Sequence, residues 1–383
     1  MINTENEAYV KIAVLVSGGV DSSVSLALLK KKGYDLHAFY LKIWLEDELA
    51  YLGSCPWEED LLYAEKVCKQ YGVPLTVVPF QKEYWQSVVT TTIESIKAGR
   101  TPNPDILCNK EVKFGLFFDY LANQHHHKFT HVASGHYAQI VQNTDGTVKL
   151  LSGVDLIKDQ TYFLSYLQQN QLQRLIFPIG SMSKEKVRKV AEDLAIPAKN
   201  RPDSQGICFL GKIKFKDFVK HHVGEKVGDL IEEESGLKVG THKGFWFYTV
   251  GQRTGIGLSG GPWYVVKKDS NSNFVFISKN YYDTKKRRNK FIVESLNWFS
   301  GKSPQKENLQ VKMRHGEKKY ECVYQEVQKN DLNKDGKLIS QSYGAVELME
   351  RDQGIAPGQY AVFYDGMNCL GAGIITNQSV DSK

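Results

Sequence analysis

Up to about residue 210 the apolar positions follow two alternating rhythms. Short unbroken apolar runs, Lys11 to Val16, Leu36 to Ile43 and Leu75 to Phe80, read as strands covered on both faces. Between and after them lie longer stretches with apolar residues three and four apart: one running from the first strand to Lys32, then Glu58 to Tyr71 and Glu83 to Ala98, which read as helices. Gly33, Gly72 and Gly99 each follow a helical stretch, where a left-handed C-cap is expected. This alternation predicts an α/β domain with a doubly wound parallel sheet. Lys110 to Leu121 reads as a further helix and His131 to Gly135 as a further strand. Asn143-Thr144-Asp145-Gly146 reads as a hairpin turn joining Ala138 to Val141 with Thr147 to Leu151, and Ser183 as the N-cap of a last helix, Lys184 to Ala195.

After Leu210 the pattern turns glycine-rich and β-like. Gly244 to Val250, Trp263 to Val266, Phe274 to Ser278, Gln310 to Met313, Tyr320 to Glu326 and Tyr360 to Tyr364 are short, aromatic or β-branched, and bounded by Gly, Asp or Asn. Two small β-rich, barrel-like domains are expected. Lys285-Lys286-Arg287-Arg288 with Lys290 reads as a linker between them or as a solvated loop. The expected division is 1–210, 211–288 and 289–383, which agrees with a length of 383 residues.

Composition narrows the classes. No run of eighteen apolar residues occurs and Met1 to Tyr9 is polar, so neither a membrane span nor a signal peptide is expected. A net charge of +6 allows a nucleic-acid partner without demanding one. Six cysteines at irregular spacing fit neither a disulfide framework nor a paired zinc motif, and point to a reducing, cytoplasmic compartment. His125-His126-His127 lies between a helix end and a strand and reads as a solvated turn rather than a metal site.

The segment with the most chemical content is Ser17-Gly18-Gly19-Val20-Asp21-Ser22, between the first strand and the first helix. Two glycines before a helix N-terminus present backbone N–H groups to an anion, aided by the helix dipole, and Ser17 and Ser22 can donate hydroxyl hydrogen bonds to phosphate oxygens. Asp21 is an acid in an anion site, most simply explained by a Mg²⁺ ion shared with phosphate. The Gly-Lys-Ser/Thr ending of a P-loop is missing, and the motif resembles instead the PP-loop of ATP pyrophosphatases.

Two cysteines sit in proline-bearing loops. Cys108 closes Arg100-Thr101-Pro102-Asn103-Pro104-Asp105-Ile106-Leu107-Cys108-Asn109 just before a helix, where a lowered thiol pKa is expected. Cys208 lies in Arg201-Pro202-Asp203-Ser204-Gln205-Gly206-Ile207-Cys208-Phe209. Each alone is more often a buried packing residue, since free cysteine is among the most buried residue types. Beside an adenylating loop, two such thiols suit sulfur transfer, one carrying the incoming sulfur and the other helping to release it.

With Gly135-His136-Tyr137, Lys158-Asp159-Gln160-Thr161-Tyr162-Phe163-Leu164, Val250-Gly251-Gln252-Arg253 and Ala356 to Tyr364 added in the same order, the chain resembles the tRNA-specific 2-thiouridylases over nearly its full length. The resemblance implies ATP-dependent adenylation of the C2 oxygen of the wobble uridine in tRNAs for Lys, Glu and Gln, then replacement of that oxygen by persulfide sulfur. It implies Cys208 as the persulfide carrier, Cys108 as the second catalytic thiol, Asp105 as acid or base, and a cysteine desulfurase or sulfur-carrier protein as donor. ATP with Mg²⁺ is then expected at Leu15, Val16, Ser17, Gly18, Gly19, Val20, Asp21, Ser22, Leu41 and Gly135, at the C-terminal edge of the sheet. Asn103, Pro104 and Asp105 would meet the unstacked target base, and His136, Lys158, Asp159, Gln160, Arg314, His315 and Gln359 would touch tRNA. Gln205 stands where many members have Thr, and Leu45 to Trp57 differs from the acidic version common in the family, at the expected donor-docking surface. The competing readings are another PP-loop ligase acting on a small molecule, for which no glutaminase half is visible, and a noncatalytic RNA-binding relative, which intact Asp21, Asp105 and both cysteines disfavour.

Overall fold

The computed structural model describes residues 11–43, 57–126, 128–203, 214–283, 289–332, 338–352 and 354–376. In the first part, strands β1 (Lys11–Leu15), β2 (Asp35–Lys42), β3 (Leu75–Pro79) and β4 (His131–Ala133) are followed by a hairpin of β5 (Ala138–Gln142) and β6 (Val148–Ser152), and then by β7 (Leu175–Ile176). Five of these form one sheet in the order β3-β2-β1-β4-β7, every neighbouring pair parallel. Alternation along β1 divides its side chains: Ala13 and Leu15 join the core that contains Phe39 and the helix at Phe117, whereas Ile12, Val14 and Val16 join Val24 and Leu26 of helix Val20–Lys31 and Val187 of helix Lys184–Asp193. Both faces of β1 are therefore dry, which is why its sequence is continuous rather than alternating. The chain order runs outward through β1, β2 and β3 and then returns to β4 on the other side of β1, so a crevice opens beyond the C-terminal ends of β1 and β4.

Most helical stretches fall close to their expected positions, but the one expected from Lys110 begins at Pro104, because Asn103 caps it and Pro104 fits its first position. Asp105 and Cys108 therefore lie inside its first turns rather than in a loop before it. Residues 81–97 are continuous helix with a π-helical turn at Trp85–Val89, and residues 104–125 are continuous helix whose middle, Cys108–Leu116, is π-helical. Gly33, Gly72 and Gly99 all have positive φ at helix ends. Ser183 caps its helix, its hydroxyl accepting from the Lys186 N–H at 3.2 Å. His125 departs from the expected solvated turn: its ring lies 5.3 Å from Phe129 and 5.6 Å from Phe39, packed into an aromatic group.

The middle part holds helix Phe215–Val223 and a four-stranded sheet of β8 (Gly228–Glu232), β9 (Lys238–His242), β10 (Tyr264–Asp269) and β11 (Phe274–Ser278), ordered β10-β11-β8-β9 with β11 and β8 parallel. The strand expected at Gly244 to Val250 is absent. Four successive aromatic residues, Phe245 to Tyr248, cannot all face one side of a strand, and a tight helical turn at Phe245–Phe247 instead inserts Phe245 into the core beside Trp263 and Val265. The last part consists of β12 (Lys290–Trp298), β13 (Asn308–Lys312), β14 (Tyr320–Leu332), β15 (Leu338–Leu348), β16 (Tyr360–Asp365) and β17 (Asn368–Ile375). They run β12-β15-β14-β13-β16-β17 and β17 pairs back to β12, closing a six-stranded barrel. Lys285 to Arg288 lie outside the described residues.

The parts interlock. Strand β6 of the first pairs with β17 of the barrel, Leu150 opposite Cys369 and Leu151 opposite Asn368. A second junction is polar and buried: Lys312 at the end of β13 places its ammonium 2.9 Å from the Asp159 carboxylate, both side chains almost fully excluded from water.

Candidate functional site

After β1 the chain turns through Ser17, Gly18 and Gly19 into helix Val20–Lys31. Gly18 has φ +72°, and a Cβ there would stand 2.0 Å from the Asp60 carbonyl oxygen, so neither backbone nor space admits a side chain. Gly19 is the N-cap in extended conformation and no side chain caps the helix, which leaves the first-turn N–H groups turned toward the crevice. Gly135, beyond β4, comes so close that a Cβ would lie 2.7 Å from the Ser22 nitrogen. Leu15, Val16 and Val20 are buried in the sheet and its flanking helix, and Leu41 is half-buried near the end of β2. Of the two serines only Ser17 is exposed. Ser22 differs from the expectation of a phosphate donor: its hydroxyl accepts from the Ser17 N–H at 3.1 Å and donates to the Gly19 carbonyl at 3.2 Å, so it shapes the loop.

Asp21 is not a lone acid. The Lys184 ammonium donates to both its oxygens, at 2.8 and 2.9 Å, and the Tyr137 hydroxyl donates to Oδ1 at 2.8 Å. Lys184 also pairs with Asp203 at 2.8 Å, and Asp203 takes Lys158 at 2.7 Å and Arg188 at 2.6 Å. Burial raises the Asp203 pKa, but the hydrogen bonds from Lys158 and Lys184 and the charge of Lys184 outweigh it and hold the carboxyl well below the usual range. Arg201 completes the arrangement, donating to the Gly18 carbonyl at 3.0 Å and to Asp60 at 2.6 Å. The phosphate-loop motif, Lys158 and the start of the second cysteine motif thus share one ionic network, in which Lys184 bridges the first and the last.

The first cysteine loop opens helix 104–125. Asn103 is its N-cap, the side-chain oxygen accepting from the Ile106 N–H at 3.2 Å, and Pro104 at the first helical position is pre-set for the turn. Asp105 and Cys108 follow one turn apart. The expected lowering of the Cys108 pKa is overturned. The thiol is 1 % exposed, and burial pushes its pKa up; Lys113 and a hydrogen bond from Tyr84 oppose this, while the Asp105 charge adds to it. Proximity to a helix start cannot offset the loss of solvation at so dry a position. Asn109 donates to the Phe163 carbonyl at 3.1 Å, and the Phe163 ring stacks on His315 of the barrel at 4.7 Å and 24°.

The residues expected at RNA fall into two groups. Lys158, Arg314 and His315 lie near the crevice or the loop: Lys158 in the ionic network, Arg314 half-exposed with a two-pronged pair to buried Asp352 at 3.0 and 2.6 Å, and His315 on Phe163, its pKa lowered by burial and by Lys312. The others are turned inward, against expectation. Asp159 is 1 % exposed and its oxygens are taken by Lys312, the Thr161 hydroxyl and the Gly153 N–H. Gln160 accepts from the Tyr137 N–H at 3.0 Å. His136 is packed between Phe114 and Phe177 with its Nδ1 2.8 Å from the Ser134 hydroxyl, and burial, aided by Lys113, lowers its pKa to about 3. The side-chain oxygen of Gln359 is buried without a hydrogen-bond partner among the described residues. Close by, Pro357 accepts from the Thr101 N–H at 2.8 Å and a Cβ on Gly358 would stand 2.6 Å from that of Arg100, so the barrel presses directly on the first cysteine loop.

Comparison with known proteins bears on this arrangement. Models described as tRNA methyl transferase HUP domain, tRNA methyl transferase PRC-barrel domain and Aminomethyltransferase beta-barrel domain match residues 10–212, 216–279 and 288–375. The tRNA-specific 2-thiouridylase MnmA of Parabacteroides distasonis is 41% identical over 376 residues, covering 96% of this chain and 99% of its own. The chain belongs to the tRNA-specific 2-thiouridylase family. Two further members, from Bacteroides thetaiotaomicron and Porphyromonas gingivalis, are 41% and 40% identical, each covering 95% of this chain and 99% of the relative.

Within this family member the segment 158–163 is the link between the two halves of the site. At one end Lys158 holds Asp203; five residues further along, Phe163 holds Asn109. Such a segment spans at most roughly 18 Å. Cys208 lies outside the described residues, as do Gln205, Cys55 and positions 45–56. Sequence reasoning missed Lys184, Tyr137 and Lys312 as members of the site. Tyr137 stands in the Gly135-His136-Tyr137 motif, but no local signal marks the two lysines: Lys184 looks like the surface lysine that follows an N-cap, and only the crossing of distant elements brings it to Asp21. The expected Mg²⁺ at Asp21 does not fit the residues present. Lys184 already neutralises the carboxylate and Tyr137 takes the same oxygen, and no cluster of three ligating side chains occurs among the described residues. No helix among them is long and apolar enough to cross a membrane.

Proposed function

We propose that this chain catalyses ATP-dependent 2-thiolation of the wobble uridine in tRNAs for Lys, Glu and Gln, with domains 1–210, 211–288 and 289–383 acting together in the cytoplasm. The observation that carries the reading is the bridge 158–163, which joins the phosphate loop and Asp203 to the Cys108 loop in a member of the 2-thiouridylase family. The loop from Ser17 to Ser22 and the Gly135 backbone cradle the phosphates of ATP, with magnesium arriving as the nucleotide's counter-ion rather than as a ligand of Asp21. Asn103, Pro104 and Asp105 receive the unstacked uridine.

Attack of the uridine C2 oxygen on the α-phosphorus forms the adenylate and releases pyrophosphate. The terminal sulfur of a Cys208 persulfide, delivered by a cysteine desulfurase or a sulfur-carrier protein, attacks C2 and expels AMP. The Cys108 thiolate then attacks the Cys208 Sγ, which breaks the sulfur–sulfur bond, leaves one sulfur on C2 and joins the two cysteines in a disulfide that an external thiol reduces. Cys108 is buried and protonated at neutral pH, so this last step needs a base, and Asp105 lies one helical turn away within electrostatic reach. Incubation with bulk tRNA, Mg-ATP, a cysteine desulfurase with free cysteine as persulfide source and a thiol reductant, followed by nucleoside mass analysis, tests the reading. A 2-thiouridine product is expected. Cys208→Ser is expected to accumulate adenylated RNA with no thiolated nucleoside, and normal product from that variant would remove the role given to Cys208.

A further inference from the structure

The motif Val250-Gly251-Gln252-Arg253 takes no part in the ionic network or the cysteine loop, yet its turn is tightly built. Gly251 has φ +90° and donates to the Val265 carbonyl at 2.8 Å. Gln252 spends its side chain on the turn itself, accepting from the Thr249 N–H at 3.0 Å and donating to the Thr254 carbonyl at 2.8 Å, while its backbone carbonyl accepts from the Val265 N–H at 2.9 Å. A turn so thoroughly tied to β10 fixes where the next residue points. Arg253 is exposed, with its guanidinium 6.0 Å from the centre of the Tyr264 ring.

Tyr264 in turn stacks on Tyr281 at 4.7 Å and 3°, and Tyr282 stands edge-on to both at 5.4 Å. Tyr282 is nevertheless 65 % exposed, although a side-chain hydrogen bond with Tyr264 restrains it. Arg314 of the barrel is close enough to Tyr281 to interact with it electrostatically, so the ledge lies at the seam between the middle sheet and the barrel. A large aromatic ring held in place and left in water, with the Arg253 guanidinium close enough to act on it, has the make-up of a stacking platform for an unpaired base and its phosphate.

We propose that Tyr282, flanked by Arg253, stacks an unpaired nucleobase of the tRNA substrate. The proposal rests on the RNA reading above and adds a contact outside the reacting site. A salt-independent stacking term is expected from the ring and a salt-dependent phosphate term from the arginine.

Fluorescence anisotropy of labelled tRNA with the full chain, at several salt concentrations, tests it for the wild type, Tyr282→Ala, Tyr282→Phe and Arg253→Gln. Tyr282→Ala is expected to weaken binding roughly 5- to 100-fold with an unchanged slope of log K against log salt, and Tyr282→Phe to stay within about twofold. Arg253→Gln is expected to reduce that slope by about one. Wild-type affinity in Tyr282→Ala, or a loss accompanied by a change in slope, overturns the stacking assignment while leaving the tRNA reading intact. Failure of the wild type itself to bind tRNA overturns the RNA reading and the ledge with it. Tyr282 is exposed enough that a thermal melt of each variant will show whether the fold is retained.

Discussion

Replacing Lys312 with Met tests the idea that a buried charge pair holds the barrel to the catalytic segment. The ammonium lies 2.9 Å from Asp159 with side-chain exposures of 2% and 0%. Removing one partner of such a pair typically costs about 3–5 kcal/mol, because the other charge stays behind unpaired. Here Asp159 keeps the Gly153 N–H at 3.1 Å and the Thr161 hydroxyl at 2.9 Å, so the lower end, about 3 kcal/mol, is expected. At a urea dependence of about 2 kcal/mol per molar, that is a midpoint lower by roughly 1.5 M. Urea unfolding followed by tryptophan fluorescence and by circular dichroism measures it. Lys312→Met combined with Asp159→Asn removes both charges and is expected to recover at least half of the loss, a coupling the double-mutant cycle isolates. The same single variant is expected to thiolate slowly, since Asp159 sits between Lys158 and Phe163 on the bridge. A midpoint within about 0.3 M of wild type, or strictly additive single losses, would refute the reasoning.

Three other outcomes follow from the geometry. Lys184→Met leaves Asp21 and Asp203 without their shared ammonium, and nucleotide affinity by calorimetry is expected to fall about tenfold, with Lys184→Arg retaining most of it; equal affinity in the Met variant would remove Lys184 from the site. Gly135→Ala places a methyl 2.7 Å from the Ser22 nitrogen and is expected to displace the helix start, weakening ATP binding at least tenfold; unchanged binding would mean the crevice opens without cost. His136 has its folded pKa lowered from 6.5 to about 3, so the unfolded chain binds the extra proton between those values and stability must fall as pH drops through that window. The limit is roughly 5 kcal/mol. His136→Gln is expected to flatten the acid limb of an unfolding-midpoint profile measured between pH 3 and 7, and an unchanged limb would count against the buried neutral ring.

Much of the first domain could be read directly from the chain. The strand runs, the helix ends at Gly33, Gly72 and Gly99, the cap at Ser183 and the phosphate turn at Ser17 to Ser22 are local features, because buried parallel strands, left-handed caps and tight turns each constrain their own few residues. Gly244 to Val250 shows where local pattern fails: a run of aromatic residues satisfies strand propensity, and only the available core volume decides that Phe245 plugs it from a helical turn. The pKa of Cys108 was misread for a related reason. Nearness to a helix start is visible in sequence, but burial is not, and the loss of hydration outweighs the helix end.

What the amino-acid order alone determined is therefore the set of parts: a doubly wound nucleotide fold, β-rich appendages, a phosphate turn and the proline-bearing thiol loops. Tertiary structure alone decided how they act on one another. Lys184 meets Asp21 from 163 residues away and Lys312 meets Asp159 from 153, and these encounters turn an acid that looked like a metal ligand into one half of an ion pair and an expected RNA contact into a buried tether. The reason is physical: charge pairing depends on which elements cross within about 3 Å, most sharply in a dry interior such as that of Lys312 and Asp159, and no periodicity in the chain encodes that crossing.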